Sequence, residues 1–269
     1  MKSLIVFYGC VLGLLAAVML AKAQVLRKQI PDKLVVLTFD DAPKSHYSFV
    51  APLLKKYGFD ATFYVCEFPP DYSDTSKYMS WAEIKRLSDM GFEIGNHTRN
   101  HAHVNKLKTD SLQAEIRYIE KKCDSLHIQK PTSFAYPGYS TSTKALETFK
   151  SMGYATARIG GDTVYHPLAD NPYYVPSFST AGTDKEKVLG FIQQAKNGNI
   201  VVLTIHGVPD LPHPWVTTPP ALFEEYLQYL KENNYIVISM RTLMQYINTE
   251  EAHKLPLPLS TQSNKMPAK

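Results

Sequence analysis

Cysteine is scarce in this chain: three among 269 residues, with Cys10 inside the first apolar run. The other two, Cys66 and Cys123, are too few to form a disulfide framework, so a chain of this length must rest on a hydrophobic core. Charge imbalance is also slight. The formal net charge is +4, and no Lys/Arg cluster supplies the basic footprint of a nucleic-acid partner. Beyond residue 23 no apolar run approaches the ~20 residues of a membrane span. Neither an internal repeat nor an interdomain linker interrupts the chain. Its length suits one large domain or two small ones.

The segment with a long apolar run is the first. "MKSLIVFYGCVLGLLAAVMLAKA" combines Lys2, an apolar stretch from Leu4 to Leu20, and small residues at Ala21 and Ala23. This is the pattern of a secretory signal peptide over residues 1–23, with cleavage expected after Ala23 and export to the periplasm or medium. Loss of Lys2 and Lys22 from the 29 basic side chains leaves 27 against 25 acidic ones. After cleavage no stable membrane insertion is expected. An oxidising compartment permits a Cys66–Cys123 disulfide without requiring it.

The remainder alternates short apolar runs with amphipathic stretches. Strands are expected at 34–39, 61–66, 92–95, 133–136, 154–158, 200–205 and 235–239, rich in Val, Ile, Phe, Tyr and Thr. Several are apolar throughout, as in strands covered on both faces. Between them, "SWAEIKRLSDMG" has a serine cap and a terminal glycine, and "TDSLQAEIRYIEKKCDSL" and "TPPALFEEYLQYLKENN" carry helical apolar periods. About seven strands alternating with helices define an α/β fold with a parallel sheet, and the count favours a barrel. The domain is expected over 24–251. Residues 252–269 lack an apolar period and are expected to form a flexible tail.

In a parallel barrel, chemistry gathers at the carboxyl ends of the strands. Asp40 and Asp41 follow the first strand, His97 and His101 the third, "PGY" the fourth, Arg158 ends the fifth, and His206 follows "IVVLTI". Two imidazoles and one carboxylate make a three-ligand metal site that leaves positions open. The spacing of four puts His97 and His101 on one face if the chain turns helical there. Of two adjacent aspartates, one can ligate while the other acts as a base. The Asn96-His97-Thr98 sequon is read as a chance match, because a glycan would block this site.

Taken together, "LTFDD", "EIGNHTRNH" and "LTIH" resemble, in order and spacing, the motifs of the NodB-like polysaccharide deacetylases, the fourth carbohydrate esterase family, over roughly residues 33–248. The resemblance implies a distorted (β/α) barrel of about seven parallel strands. It also implies one divalent metal, zinc foremost with cobalt, nickel or manganese as alternatives, and an acetylated glycan as substrate. By position it assigns Asp41, His97 and His101 as metal ligands, Asp40 as general base and His206 as general acid. Leu203 matches the residue lining the acetyl pocket. A backbone N–H near Gly138 and Tyr139 is the expected oxyanion donor.

Two motifs depart from the family. Ala135 stands where an arginine that holds the catalytic aspartate is expected, and Gly138-Tyr139 has the reversed order. Arg158 is the best-placed substitute. The fourth motif is not cleanly present, and Asp162 is the nearest residue to orient His206. Alternatives are a hydrolase of a non-sugar amide on the same scaffold and a carbohydrate-binding pseudoenzyme.

Overall fold

Among the described residues, eight strands run parallel in one sheet, ordered β5-β4-β3-β2-β1-β7-β6, with β8 beside β1. They are β1 (Leu34–Phe39), β2 (Thr62–Val65), β3 (Glu93–Asn96), β4 (Ser133–Ala135), β5 (Thr156–Arg158), β6 (Phe178–Ser179), β7 (Val201–Ile205) and β8 (Ile236–Ile238). The computed structural model describes residues 25–258, so the expected signal peptide lies outside the described residues. Among the described residues, no helix is long and apolar enough to cross a membrane.

The seven expected strands are all present, within two residues at each end. The eighth, β6, has only two residues, too short for any period to announce it. The sheet curls until its ends meet. Arg158 in β5 bridges Val175, whose N–H donates to the Ala157 carbonyl (2.9 Å), and the same segment runs on into β6. β8 pairs only the first half of β1 (Val36 opposite Ile238), and β2 takes the second half (Thr38 opposite Thr62). The barrel is distorted for that reason.

Alternation along each strand decides which side chains face inward. Val35, Leu37 and Phe39 of β1, with Leu203 and Ile205 of β7, pack under the helices. Leu34 and Val36, with Ile200, Val202 and Tyr64, fill the barrel. Each fully buried Val or Leu here contributes about 1.5–3 kcal/mol.

The helices close the outer face: α1 (Ala51–Tyr57), α2 (Trp81–Asp89), α3 (Thr109–Ser125), α4 (Thr143–Met152), α5 (Lys185–Ile192) and α6 (Pro220–Glu232), followed by single turns α7 (Met240–Leu243) and α8 (Thr249–Ala252). In α2 the Ser80 hydroxyl accepts from Glu83 N–H while the Glu83 carboxylate accepts from Ser80 N–H, a reciprocal cap that sets the helix start. α3 buries Leu112, Ile116, Ile119 and Cys123, a stripe at helical spacing.

The expected tail begins later than residue 252. Ala252 is buried, His253 stacks on Tyr173 at 4.0 Å, and Asn171 Nδ2 donates to the carbonyls of His253 (3.1 Å) and Leu255 (2.9 Å). These partners are about 80 residues away, so no local pattern reveals them. Cys66 and Cys123 are both buried and unpaired.

Candidate active site

Along β1 and β7 the inward face changes character, from apolar at the start to polar at the carboxyl end. Thr38 and Asp40 continue the inward face of Leu34 and Val36, and Thr204 and His206 continue that of Ile200 and Val202. Just past β1 the backbone turns through left-handed conformations at Asp41 (φ 72°) and Ala42 (φ 55°). Non-glycine residues rarely adopt these. The turn makes the neighbouring carboxylates diverge: Asp40 points to Arg158, whereas Asp41 points to the histidines.

His97 and His101 do not share a helix face. Residues 97–103 form a loop in which Thr98 (φ 61°) and His101 (φ 51°) are left-handed. Hydrogen bonds offset that strain. Thr98 N–H donates to Asn96 Oδ1 (2.9 Å), Ala102 N–H to Thr98 Oγ1 (2.8 Å), and Asn100 gives both its N–H and its amide to Glu115 (2.8 Å each). The Asn96 amide is buried and donates to the Ile116 carbonyl and the Tyr154 hydroxyl, so it is no glycan acceptor.

The result is a convergent donor set. Asp41 Oδ1 lies 3.3 Å from His97 Nε2 and 3.4 Å from His101 Nε2, and one ligand atom from each residue falls within 4.8 Å of the others. His97 Nδ1 is 2.8 Å from the Ala135 carbonyl. Donating its proton there leaves the Nε2 lone pair facing Asp41. Burial alone would raise the Asp41 pKa, but His101, His97 and His206 outweigh it and hold the carboxyl well below the usual range. Burial pushes His101 down to about 4, leaving a neutral imidazole. Burial also works to lower His97, but Asp40 and Asp41 overcome it and raise its pKa. Asp41 Oδ1 is buried without a hydrogen-bond partner. An unsatisfied buried carboxylate oxygen between two imidazole nitrogens fits a divalent cation.

Asp40 is held from the other side. Arg158 is fully buried, and its Nη2 donates to Asp40 Oδ2 while its Nη1 donates to Thr204 Oγ1 (2.8 Å) and Ser177 Oγ (3.3 Å). Burial disfavours its charge, yet Asp40 outweighs burial and raises the guanidinium pKa. Ala135 and Arg158 are directly paired across β4 and β5. The cation absent from one strand therefore stands at the same level on the next. Asp40 Oδ1 has no hydrogen-bond partner.

His206 Nε2 lies 3.8 Å from Asp41 Oδ2, and the His206 carbonyl bonds His46 Nε2 (2.9 Å). Asp162 does not hydrogen-bond its buried Nδ1. That residue is exposed, and its carboxylate accepts from Ser179 N–H at 3.3 Å. His206 Nδ1 is buried without a partner. Leu203 also points elsewhere, into the core under the helices, because it is one residue out of phase with inward-facing Thr204. Gly138 (φ 55°) lies against His103, whose Nε2 would sit 2.9 Å from a Cβ at that position. Any side chain there would displace His103, which is thus packed on this turn. The Tyr139 N–H is used within the turn, donating to the Tyr136 carbonyl (3.0 Å), while its ring borders Arg158.

Residues with no motif of their own complete the surroundings. Phe68 stacks on His101 at 4.6 Å and meets His213 at 4.4 Å, and the Tyr78 hydroxyl is 3.1 Å from His213 Nε2. Tyr78 could be noticed only as one of several tyrosines in its loop, and nothing local marks Phe68 or His213.

The parallel barrel gathers two aspartates and three histidines at its carboxyl rim, and three of these, Asp41, His97 and His101, could hold a metal ion. Residues 27–157, just under half of the chain, match the family model "Polysaccharide deacetylase", and the chain is similar to the NodB-like polysaccharide deacetylases, a family of hydrolases. It is 26% identical over 217 residues to the peptidoglycan-N-acetylglucosamine deacetylase of Bacillus cereus, covering 80% of this chain and 90% of that protein. Among solved structures, the fold resembles a peptidoglycan N-acetylglucosamine deacetylase bound to a hydroxamate-type benzamide (TM-score 0.59, 17% identity, 79% and 88% of the two chains). It also resembles a CE4 family pseudoenzyme from Bacillus anthracis (TM-score 0.55, 16% identity, 80% and 66% covered). The chain spans less than half the length of several other curated relatives, chitin deacetylases among them.

Proposed function

We propose that this protein is a metal-dependent, exported deacetylase that removes acetyl groups from an N- or O-acetylated glycan. The observation that carries the reading is the divergence of the two aspartates: Asp41 meets His97 and His101, and Asp40 meets a buried arginine. Asp41, His97 and His101 would hold one divalent cation, zinc foremost. When bound, such a cation supplies Lewis acidity toward a water and toward the acetyl carbonyl oxygen.

The chain's own groups do the rest. Arg158 fixes one oxygen of Asp40, and the other, unpartnered oxygen accepts a proton from the attacking water. A C–O bond forms at the acetyl carbon as the C–N or C–O bond to the sugar breaks. His206, at the opposite side of Asp41, delivers the proton to the departing atom. The Gly138 turn lines the rim where charge develops on the carbonyl oxygen.

The deciding experiment is acetate release from a panel of acetylated oligosaccharides, by protein stripped of metal and then reloaded. Release that depends on metal supports the reading. No release from any glycan, with metal bound at full occupancy, would move the protein to the pseudoenzymes represented on the same fold. Occupancy itself should fall sharply in His97→Ala and His101→Ala, measured by elemental analysis. Full occupancy in both variants would end the metal assignment.

A further inference from the structure

Thr98, Arg99 and Asn100 separate the two candidate histidine ligands. The first and third are tied down by the bonds to Asn96 and Glu115 already described. Arg99 is held by Glu67, just past the carboxyl end of β2. The Glu67 N–H donates to the Arg99 carbonyl (2.6 Å), and Glu67 Oε2 lies 3.5 Å from Arg99 Nε. The Arg99 side chain is 46% exposed, so this ion pair alone is worth little. The carboxylate itself is anchored more firmly. Its Oε1 accepts from the Tyr118 hydroxyl (2.7 Å) and the Trp81 indole N–H (2.9 Å), and the guanidinium lies 4.0 Å from the centre of the Tyr118 ring. Trp81 opens α2 and Tyr118 lies in α3. One carboxylate therefore joins two helices to the middle of the loop that carries both histidines.

The next residue acts on a histidine directly. Phe68 stacks on His101, with 4.6 Å between ring centres and 29° between planes. His97 is set in another way, by the bond between its Nδ1 and the Ala135 carbonyl (2.8 Å). That bond fixes ring plane and tautomer together. His101 stands on a left-handed loop residue (φ 51°), and its plane is set by the phenyl ring beneath it. Ligation requires the Nε2 lone pair to be aimed within about 10–20° of the ion. Whatever holds that plane before the ion arrives lowers the entropy cost of binding it.

We propose that Glu67 and Phe68 are positioning residues for the candidate metal ligand His101. Glu67 fixes the loop through Arg99, and Phe68 fixes the plane of the imidazole. The proposal rests on the metal assignment made above and is independent of the substrate. It makes the two histidines unequal: His97 is built into the sheet, whereas His101 depends on two consecutive side chains at the end of β2. Loss of either should loosen the ion without emptying the site.

The test is the zinc affinity of the full chain by competition with a chromogenic chelator, together with the visible absorption of the cobalt-loaded protein. Neither measurement requires turnover. Phe68→Leu keeps an apolar side chain but loses the flat face, and should weaken zinc binding about tenfold and shift the cobalt bands. Phe68→Tyr keeps the ring and should restore both. Glu67→Ala removes the acceptor shared by Arg99, Tyr118 and Trp81, and affinity should fall by about 10–100-fold. Glu67→Gln should fall between, because its amide oxygen still accepts from Trp81 and Tyr118. Melting of the metal-free proteins checks folding, and Glu67→Gln carries the test if Glu67→Ala does not fold. Lower melting temperatures with unchanged zinc affinity and cobalt bands would overturn the proposal, as would equal losses in Phe68→Leu and Phe68→Tyr. A wild-type chain that binds neither metal would instead sink the metal assignment, and the positioning role with it.

Discussion

Two of the buried carboxylates, Glu93 and Asp40, lie at opposite ends of this barrel, and they are treated differently. Glu93, at the start of β3, is surrounded by neutral donors: the Thr62 hydroxyl (2.7 Å), the Ser133 hydroxyl (2.7 Å) and the Arg241 backbone N–H (2.6 Å). Both of its oxygens are satisfied. The Arg241 guanidinium turns away to Gln129 and the Gly91 carbonyl. Asp40, past the end of β1, receives a buried guanidinium on one oxygen, and its other oxygen has no partner. A carboxylate with both oxygens engaged joins elements together; here Glu93 ties the N-terminus of α7 to β2, β3 and β4. One with a fixed charge and an open oxygen is set up to accept a proton. The difference between the two ends is the difference between structure and chemistry in this fold.

The largest expected effect comes from removing the cation at the chemical end. Arg158→Ala leaves Asp40 buried without a counter-charge, a loss of about 3–5 kcal/mol for a broken buried pair. That corresponds to a melting temperature lower by roughly 6–20 °C in a domain of this size, read by thermal melting. Turnover should drop as well, because nothing then keeps Asp40 in place. Arg158→Lys keeps the charge, but one ammonium cannot reproduce the fork that reaches Asp40, Thr204 and Ser177 together. It should retain metal and lose about tenfold in kcat, an intermediate loss below the 10²–10⁴ of a missing acid–base group. Near-normal rates in both variants would mean that Asp40 does not need the arginine.

Asp40→Asn removes the base itself, with no loss of stability as large as that of Arg158→Ala. The amide is nearly isosteric and the three candidate ligands remain, so metal content should be unchanged. Turnover should fall by about 100-fold or more, the scale for losing a general base. Joint loss of metal and activity would show that Asp40 and Asp41 had been assigned the wrong way round.

How much of this contrast the sequence discloses depends on distance along the chain. Strand positions and the polar rim are legible because alternation and strand ends are local properties. Arg158 can be picked out as the last residue of a strand, although only the pairing of β4 with β5 puts it level with Ala135. Leu203 and Asp162 are harder. A shift of one residue along β7 turns Leu203 to the helices and Thr204 to the site. Asp162 lies beyond β5 in a turn whose direction no motif specifies. The convergence of His97 and His101 comes from left-handed loop residues, not from a helix, and the acceptor that stabilises that loop, Glu115, is 15 residues from Asn100. Glu93 reads as a charge within an apolar run, and its partners come from three other elements.

The smallest effect on chemistry should come from the structural carboxylate, and there the pH dependence is the informative reading. Burial raises the Glu93 pKa, and the hydrogen bonds from Thr62, Ser133 and Arg241 offset only part of that. The folded state therefore holds the Glu93 proton more tightly than the unfolded chain does. Stability from this group is fully present below the unfolded pKa of about 4.3 and is lost as pH rises through the higher folded value. Glu93→Gln cannot titrate. Its oxygen can keep the bonds from Thr62 and Arg241 N–H, while its NH₂ donates to a rotated Ser133 hydroxyl. Urea unfolding at a series of pH values should show the variant gaining on wild type as pH rises from about 4.3, with turnover unchanged at neutral pH. A difference that stays flat across the range would mean that Glu93 does not change protonation on folding. A large loss of turnover would mean that the two ends of the barrel are coupled, and the contrast between them would have to be abandoned.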